Sequence, residues 1–159
     1  MTKPILVFGY GNLSRGDDAV GPLLLEYLES HADLSQIELL TDFQLQIEHA
    51  LDLAARQLVL FVDASVSCRE AFELTELKPQ RDNSYTSHAM SPAALLHVYT
   101  TLYRQPLPPA FLLSIRGESF ELGEGLSADT ARNLHGACQF AEQWLGTVGA
   151  KKVTAGELA

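Results

Sequence analysis

The apolar residues of this chain come in short unbroken runs separated by segments of helical periodicity, and this alternation limits the possible folds more than any other feature. The runs over residues 4–10 and 58–62 are continuous, which is typical of strands buried on both faces of a parallel sheet. Between them, apolar residues recur at helical spacing over residues 20–28. The alternation predicts an α/β domain, with a mostly parallel five-stranded sheet in a three-layer α/β/α arrangement.

The other predicted elements follow the same logic. A serine followed by proline, Ser91-Pro92, is a typical helix start, because serine caps the first turn and proline tolerates its first position. A length of 159 residues corresponds to one domain, expected over residues 1–146, with a flexible C-terminal tail over 147–159. Further strands are predicted at 37–41, 71–77 (an edge strand) and 111–115, and further helices at 45–55 and from Ser127 to Gly146.

Composition excludes several classes of partner. There are 20 acidic and 11 basic residues, a net charge of −9, so neither nucleic acid nor an anionic membrane surface is an expected partner. The two cysteines, Cys68 and Cys138, form no CxxC motif, which excludes a disulfide framework or a cysteine-rich zinc site and fits a reducing cytoplasm. No apolar run approaches the roughly 18 residues that a membrane span needs.

Acidic residues follow three of the predicted strands. Asp18 lies in the loop after the first strand, Asp42 follows the second and Asp63 the third, while His88 lies in the loop before the helix at Ser91. In open α/β sheets, ligands bind at the carboxyl ends of the strands, where chain order reverses. Two carboxylates and an imidazole can bind a divalent transition metal and leave coordination positions open.

Each of these residues also has an ordinary structural explanation. Asp17 or Asp18 could cap the first helix, Asp63 could be a turn residue, and His88 could be a solvated histidine of a polar loop. The other four histidines are expected to be structural or solvated, and two aromatic residues at strand ends are expected to pack. These are His31, His49, His97 and His135, and Tyr10 and Phe43.

Common catalytic and nucleotide-binding motifs are missing or incomplete. Gly9 and Gly11 begin like a dinucleotide fingerprint, but the third glycine position holds Ser14. Asp17 and Asp18 would repel a pyrophosphate at the start of the first helix. Neither a GxSxG nor an HExxH motif is present.

The motifs around these acidic residues resemble those of the hydrogenase maturation proteases, the endopeptidases that trim the C-terminus of the nickel–iron hydrogenase large subunit. The resemblance extends over residues 5–145. Its most specific part is a strand, then Gly-x-Gly-Asn, a short loop, and Asp-Asp with a glycine three residues on. The matching segments are residues 5–13, 16–21, Val62-Asp63-Ala64, Ser87-His88 with Ser91-Pro92, Gly117-Glu118 and Gly125-Leu126-Ser127.

The resemblance implies an aspartyl-type endopeptidase activity and a role for the metal. In that family the residues matching Asp18, Asp63 and His88 bind the metal. The nickel is supplied by the substrate, a precursor of a [NiFe]-hydrogenase large subunit, and no tightly held cofactor of the protease itself is expected. The protease recognises the loaded precursor and removes its C-terminal extension; no attacking nucleophile is assigned.

One segment departs from the family pattern. Asp42 is kept, but Phe43-Gln44-Leu45 replaces the usual Gly-Gly-Thr and Glu48 follows, which resembles the branch that serves soluble, cofactor-reducing hydrogenases. Asp42, Gln44 and Asn12 are therefore expected to contact the substrate. Two alternatives stay open. The first is a peptidyl-tRNA hydrolase-like enzyme, because the segment Gly9-Tyr10-Gly11-Asn12 also resembles the opening of that family. The second is a nickel-sensing module that binds the precursor without cutting it.

Overall fold

The structure, a computed structural model, describes residues 2–81 and 90–158, with side chains up to residue 149. None of the helices in this described part is long and apolar enough to cross a membrane. The elements are β1 (Ile5–Tyr10), a 3₁₀ helix (Gly16–Ala19), α1 (Val20–His31), β2 (Ile37–Asp42), a second 3₁₀ helix (Ile47–Leu53), β3 (Leu58–Ser65), β4 (Phe72–Glu76), α2 (Pro92–Leu102), β5 (Ala110–Arg116) and α3 (Ala128–Leu158).

The five strands form one sheet in the order β2-β1-β3-β5-β4. All neighbouring strands are parallel except β4, which pairs antiparallel with β5 at the edge. The predicted α/β class and the mostly parallel five-stranded sheet are confirmed. Because β2 lies on one side of β1 and β3 on the other, chain order reverses between β1 and β3, and this opens a crevice at their carboxyl ends.

Helices cover both faces of the sheet, as the unbroken apolar strands predict. Ile5 and Val7 of β1 pack in the core under α1 and α3. Leu6 and Phe8 of the same strand pack in the opposite core, with α2 and the second 3₁₀ helix. All six residues of β1 are buried, because successive side chains enter opposite cores.

Two glycines bring the start of α1 against the ends of β1 and β3. A Cβ atom on Gly21 would lie 2.7 Å from the carbonyl oxygen of Tyr10 and 2.8 Å from that of Val62. A Cβ atom on Gly9 would lie 2.6 Å from the carbonyl oxygen of Gly21. This backbone-to-backbone packing holds the 3₁₀ helix that precedes α1, and with it Asp18, at the crevice.

The predicted helix over residues 45–55 is wrong in type and length, since the chain forms a seven-residue 3₁₀ helix there. Its buried residues, Ala50 and Leu53, are three positions apart, which matches the three-residue turn of a 3₁₀ helix. Leu51, which an α-helical stripe would bury, is 66% exposed.

The prediction that the last helix ends at Gly146 is also wrong, since α3 continues to Leu158. An isolated glycine within a helix costs only about 1 kcal/mol and need not end it. Val148, beyond that glycine, packs against the core under α1, and this contact favours continuation of the helix. The expected flexible tail over residues 147–159 stays a prediction.

Replacing Gly21 by alanine is expected to destabilise the protein by about 1–3 kcal/mol, because the new methyl group meets backbone atoms that cannot move aside cheaply. Gly146→Ala is the matched control. The space around Gly146 is open and alanine is the better helix former, so this variant is expected to gain about 0.5–1 kcal/mol. Urea unfolding of both variants measures the difference, and equal midpoints would contradict the packing argument.

Candidate active site

The candidate site lies at the crevice between the carboxyl ends of β1 and β3. Tyr10 is the last residue of β1, and Asp63 lies near the end of β3. The 3₁₀ helix that carries Asp18 packs against β3. The structure therefore brings together Asp18 and Asp63, two of the three predicted metal ligands. The third, His88, lies outside the described residues.

Asp63 lies within β3 rather than after it, which corrects the expected strand end. The strand continues to Ser65 because Asp63 and Ala64 remain paired with Ser114 and Ile115 of β5. The Asp63 side chain, which is half-buried, accepts a hydrogen bond at Oδ1 from the backbone N–H of Ala64 at 2.8 Å. The pairing fixes the backbone of this residue, so its carboxyl group has a defined position at the crevice.

The pKa of Asp63 is raised from 3.8 to about 7, and burial is the largest cause. The negative charge of Asp18 also raises this pKa, while hydrogen bonds from the Ala64 N–H and the Tyr10 hydroxyl lower it. A carboxyl group with a pKa near neutrality can take up or release a proton under ordinary conditions. Such a strongly shifted acid in a crevice is typical of a functional site.

The Gly-x-Gly-Asn loop is folded around Asp18. The carboxylate Oδ2 of Asp18 accepts the backbone N–H of Asn12 at 2.7 Å. Gly11 has φ +145°, and a Cβ there would lie 2.1 Å from the carbonyl oxygen of Asp18, so only glycine fits. The Asn12 side chain, predicted to contact substrate, accepts the N–H of Ser14 at 2.8 Å and so shapes the loop.

Tyr10 is a site residue that sequence reasoning assigned to packing alone. The ring is buried, and the hydroxyl interacts with the carboxyl group of Asp63. Burial, followed by the charge of Asp63, raises the pKa of this phenol well above its usual range, so it keeps its proton and can donate. The available signal was a tyrosine ending an otherwise apolar strand, immediately before Gly11.

Asp17 is fully buried and accepts five hydrogen bonds, all from the segment that leads into α3 and from the first turn of that helix. Its Oδ2 accepts the N–H of Glu118 at 2.7 Å and the N–H of Ser119 at 3.0 Å. The same oxygen accepts the hydroxyls of Ser127 and Thr130, each at 2.9 Å. Oδ1 accepts the N–H of Ser127 at 2.8 Å. Burial would raise the pKa of this carboxyl, but these donors outweigh it and lower the pKa to about 2.

The expectation that Asp17 or Asp18 caps α1 is wrong, because that helix follows Ala19 without a side-chain cap. The intervening 3₁₀ turn separates the two acids: Asp17 faces the start of α3, and Asp18 faces the crevice. The hydrogen-bond donors to Asp17 include Glu118 and Ser127. Both lie in the segments Gly117-Glu118 and Gly125-Leu126-Ser127, which resemble the hydrogenase maturation proteases in sequence.

The remaining predicted substrate residues lie at the end of β2. Asp42 is its last residue and pairs in register with Tyr10. Oδ1 of Asp42 accepts the N–H of Phe43 at 2.7 Å, and Oδ2 lies 3.2 Å from Nε2 of His49. Gln44 is exposed. Phe43 is 72% exposed, so the expectation that it packs is wrong.

The described residues contain no group of three or more metal-ligating side chains. Asp18 and Asp63 bring two carboxyl groups to the crevice. The predicted ligand set of Asp18, Asp63 and His88 stays a prediction.

Comparison with known proteins finds similarity in structure. No protein-family model matches the sequence, and no curated protein matches it. The hydrogenase-maturating endopeptidase HybD from E. coli superimposes with a TM-score of 0.72 at 24% identity, over 91% of this chain and 93% of that chain. The [NiFe] hydrogenase maturation protease HycI from Thermococcus kodakarensis gives 0.69 at 22%, over 91% and 93%.

A third example, the hydrogenase 2 maturation peptidase from a Thaumarchaeota archaeon, gives a TM-score of 0.65 at 20% identity, over 91% of this chain and 99% of that chain. The chain has the fold of the hydrogenase maturation endopeptidases. The fold implied by the sequence resemblance is thus confirmed over nearly the whole length of the chain.

Replacing Asp17 by asparagine is expected to lower the free energy of unfolding by about 2–4 kcal/mol at neutral pH, because an amide N–H₂ would face hydrogen-bond donors in a buried site. The folded-state pKa lies below the ordinary 3.8, so the stabilisation is complete above that value and is lost as pH falls through about 2. Urea unfolding across this range measures it. Asp33→Asn, at an exposed acid, is the control and should change stability little; an Asp17→Asn variant of native stability would contradict the assignment.

Replacing Asp63 by asparagine is expected to stabilise the protein at about pH 8 by about 1–3 kcal/mol. The pKa of Asp63 is raised in the folded protein, so the folded state binds this proton more tightly than the unfolded chain does. The stability that results is complete below pH 3.8 and is lost as the pH rises through about 7. The gain should therefore disappear toward about pH 4. Thermal unfolding at both pH values tests this, with Asp33→Asn as the control that should not stabilise; a destabilised Asp63→Asn variant at alkaline pH would refute it.

Proposed function

We propose that this chain is an endopeptidase of hydrogenase maturation, which removes the C-terminal extension of a [NiFe]-hydrogenase large-subunit precursor. The observation that carries the proposal is the convergence of Asp18 and Asp63 at the crevice between β1 and β3. The same two acids belong to the sequence motifs that resemble the hydrogenase maturation proteases. The structural similarity to HybD and HycI supports the same activity.

In this proposal the nickel belongs to the substrate, and Asp18, Asp63 and His88 recognise it. Carboxylate and imidazole groups suit a divalent transition metal, and three protein ligands leave positions for ligands of the precursor. The two cysteines do not contribute, since both are buried and burial raises the pKa of both thiols. Any thiolate ligands of the nickel therefore come from the precursor.

The raised pKa of Asp63 makes nickel recognition dependent on a proton. Without metal, burial favours the protonated carboxyl group of Asp63, and protonation also removes the repulsion between this group and Asp18. Arrival of a divalent cation favours the ionised form, so binding releases a proton. Tyr10, whose hydroxyl keeps its proton, stabilises the ionised carboxylate of Asp63 by donating to it.

We assign to Asp63 and Tyr10 the handling of protons next to the scissile peptide. The bound cation supplies polarisation of a carbonyl or of a water. Before the cation binds, Asp63 has a pKa of about 7 and can release its proton at neutral pH, and once the cation is bound its ionised carboxylate can orient an attacking water by accepting a hydrogen bond. The net charge of −9 and the reduced cysteines fit a cytoplasmic protein whose partner is another polypeptide rather than nucleic acid or membrane.

Replacing Asp18, Asp63 or His88 by alanine is expected to abolish trimming of a nickel-loaded large-subunit precursor while the fold is retained. Loss of residues that only support metal ligands costs about 10–100-fold, so loss of a ligand itself should cost at least as much. The measurement is the size shift of the purified precursor after incubation with each variant. Circular dichroism spectra of the variants establish that the fold is unchanged.

His135→Ala is the matched control, because this histidine is exposed on α3 and is expected to leave processing unchanged. Normal trimming by the Asp63→Ala and His88→Ala variants would refute the metal-recognition role. A native protein that binds the loaded precursor and leaves it uncut would favour the non-cleaving module.

A further inference from the structure

A second feature of the same sheet edge is a cleft between the ends of β1 and β2. It has a volume of about 290 Å³ and lies on the side of β1 opposite to the Asp63 crevice. Its lining is apolar apart from Thr41 and the Asp42 carboxylate. The lining residues are Gly11, Leu13, Pro22, Thr41, Asp42 and Phe43.

The Asp42 carboxylate has a fixed position in this cleft. Oδ1 accepts the N–H of Phe43 at 2.7 Å, and Oδ2 lies 3.2 Å from Nε2 of His49. Both oxygens therefore have a partner on the protein side, while 38% of the side chain remains exposed to the cleft. A carboxylate held in this way is preorganised to bind a ligand with little loss of side-chain entropy.

The hydrogen bonds of His49 determine its tautomer. The backbone N–H of Gln46 donates to Nδ1 at 2.8 Å, so Nδ1 carries no proton. The ring proton is then on Nε2 and is donated to Asp42. The ring is mostly buried, and its contact with Phe8, at 4.6 Å between centroids and 74°, fixes its plane. His49 is thus built to orient the Asp42 carboxylate.

The fixed carboxylate has no cationic partner in the described residues, where no lysine or arginine lies within 4 Å of it. Its other neighbours in the cleft are apolar and open to solvent: Leu13 is 54% exposed and Phe43 is 72% exposed. An anion between exposed apolar walls is complementary to a cationic side chain with apolar neighbours on either side. A lysine or arginine in an extended polypeptide has this chemistry.

We propose that this cleft binds an extended segment of the substrate polypeptide through a lysine or arginine side chain flanked by apolar residues. Asp42 binds the cation, Leu13 and Phe43 contact the flanking side chains, and His49 is a positioning residue that acts through Asp42. The proposal rests on the proposed function only in taking the ligand to be the substrate polypeptide. Binding in the cleft needs neither nickel nor peptide-bond cleavage.

The experiment compares labelled pentapeptides of leucine and alanine whose central residue is lysine, norleucine or glutamate. Fluorescence anisotropy measures their dissociation constants for the native protein and for four variants. Asp42→Asn removes the anion, and Asp33→Asn removes the same charge on an exposed residue in the loop between α1 and β2, before the start of the strand whose other end carries Asp42. The longer side chain of His49→Gln places an N–H where Nε2 donates to Asp42. The shorter side chain of His49→Asn ends near the position of Nδ1, where its oxygen can accept the Gln46 N–H but its N–H₂ group falls short of Asp42. Both His49 variants lose the aromatic contact equally.

The native protein is expected to prefer the lysine peptide over the norleucine peptide by about three- to tenfold, the range for a partly exposed, charge-assisted contact. Asp42→Asn and His49→Asn should lose this preference, while Asp33→Asn and His49→Gln should keep it. Imidazole ¹⁵N spectra of the native protein should show His49 protonated on Nε2 only, a signature that a general folding role would not require.

Equal affinity of the native protein for the lysine and norleucine peptides would overturn the proposal. So would a lysine preference that survives in Asp42→Asn, or one that His49→Asn and His49→Gln alter alike. The outcome is separable from that of the proposed function. A native protein with the Asp42-dependent preference that trims no loaded precursor refutes the peptidase assignment and supports the cleft, and trimming without any preference does the reverse.

Discussion

The buried carboxylate of Asp17 is the interaction on which the rest of the site depends. It accepts hydrogen bonds from five donors in the segment between β5 and α3 and in the first turn of α3, and no apolar residue could satisfy those N–H and hydroxyl groups. Backbone bonds between the same segments add to it: the Asp17 N–H donates to Ser119 at 2.8 Å, and the Gly123 N–H donates to Ser14 at 2.7 Å. These bonds hold the short 3₁₀ helix against the connection between β5 and α3, and they fix the neighbouring Asp18 at the crevice.

Two adjacent carboxylates consequently have opposite environments and opposite uses. The charge of Asp17 is stabilised by hydrogen-bond donors, and this stabilises the fold, whereas Asp18 adds its charge to a crevice that already holds Asp63. Burial and repulsion there disfavour the ionised form of Asp63, which is a cost to stability. A site that recognises a cation is a physical reason to retain two such acids close together, because the cation removes both the repulsion and the desolvation penalty.

Sequence patterns could predict the sheet and the positions of the acids, because both depend on local rules. Unbroken apolar runs indicate buried parallel strands, and the residues after parallel strands lie at one edge of the sheet, so Asp18 and Asp63 were placed together correctly. The different roles of Asp17 and Asp18 could not be predicted, since they depend on a four-residue 3₁₀ turn and on donors about 100 residues away. The pairing of His49 with Asp42 was missed for a related reason: a short 3₁₀ helix replaced the expected α-helix there, and only its geometry brings the two residues together.

The Gly-x-Gly-Asn loop joins the two parts of this sheet edge. The N–H of Gly11 donates to the carbonyl oxygen of Asp42 at 3.0 Å, and the N–H of the next residue, Asn12, donates to the Asp18 carboxylate at 2.7 Å. Consecutive backbone amides therefore fix the position of the cleft beside β2 relative to the acids beside β3. The glycine at position 11 is required for this, because its φ of +145° and its contact with Asp18 leave no room for a side chain. If both proposals hold, this loop fixes the distance between the two binding sites. A substrate is then positioned for cleavage only when its cationic side chain and its nickel are separated by that distance.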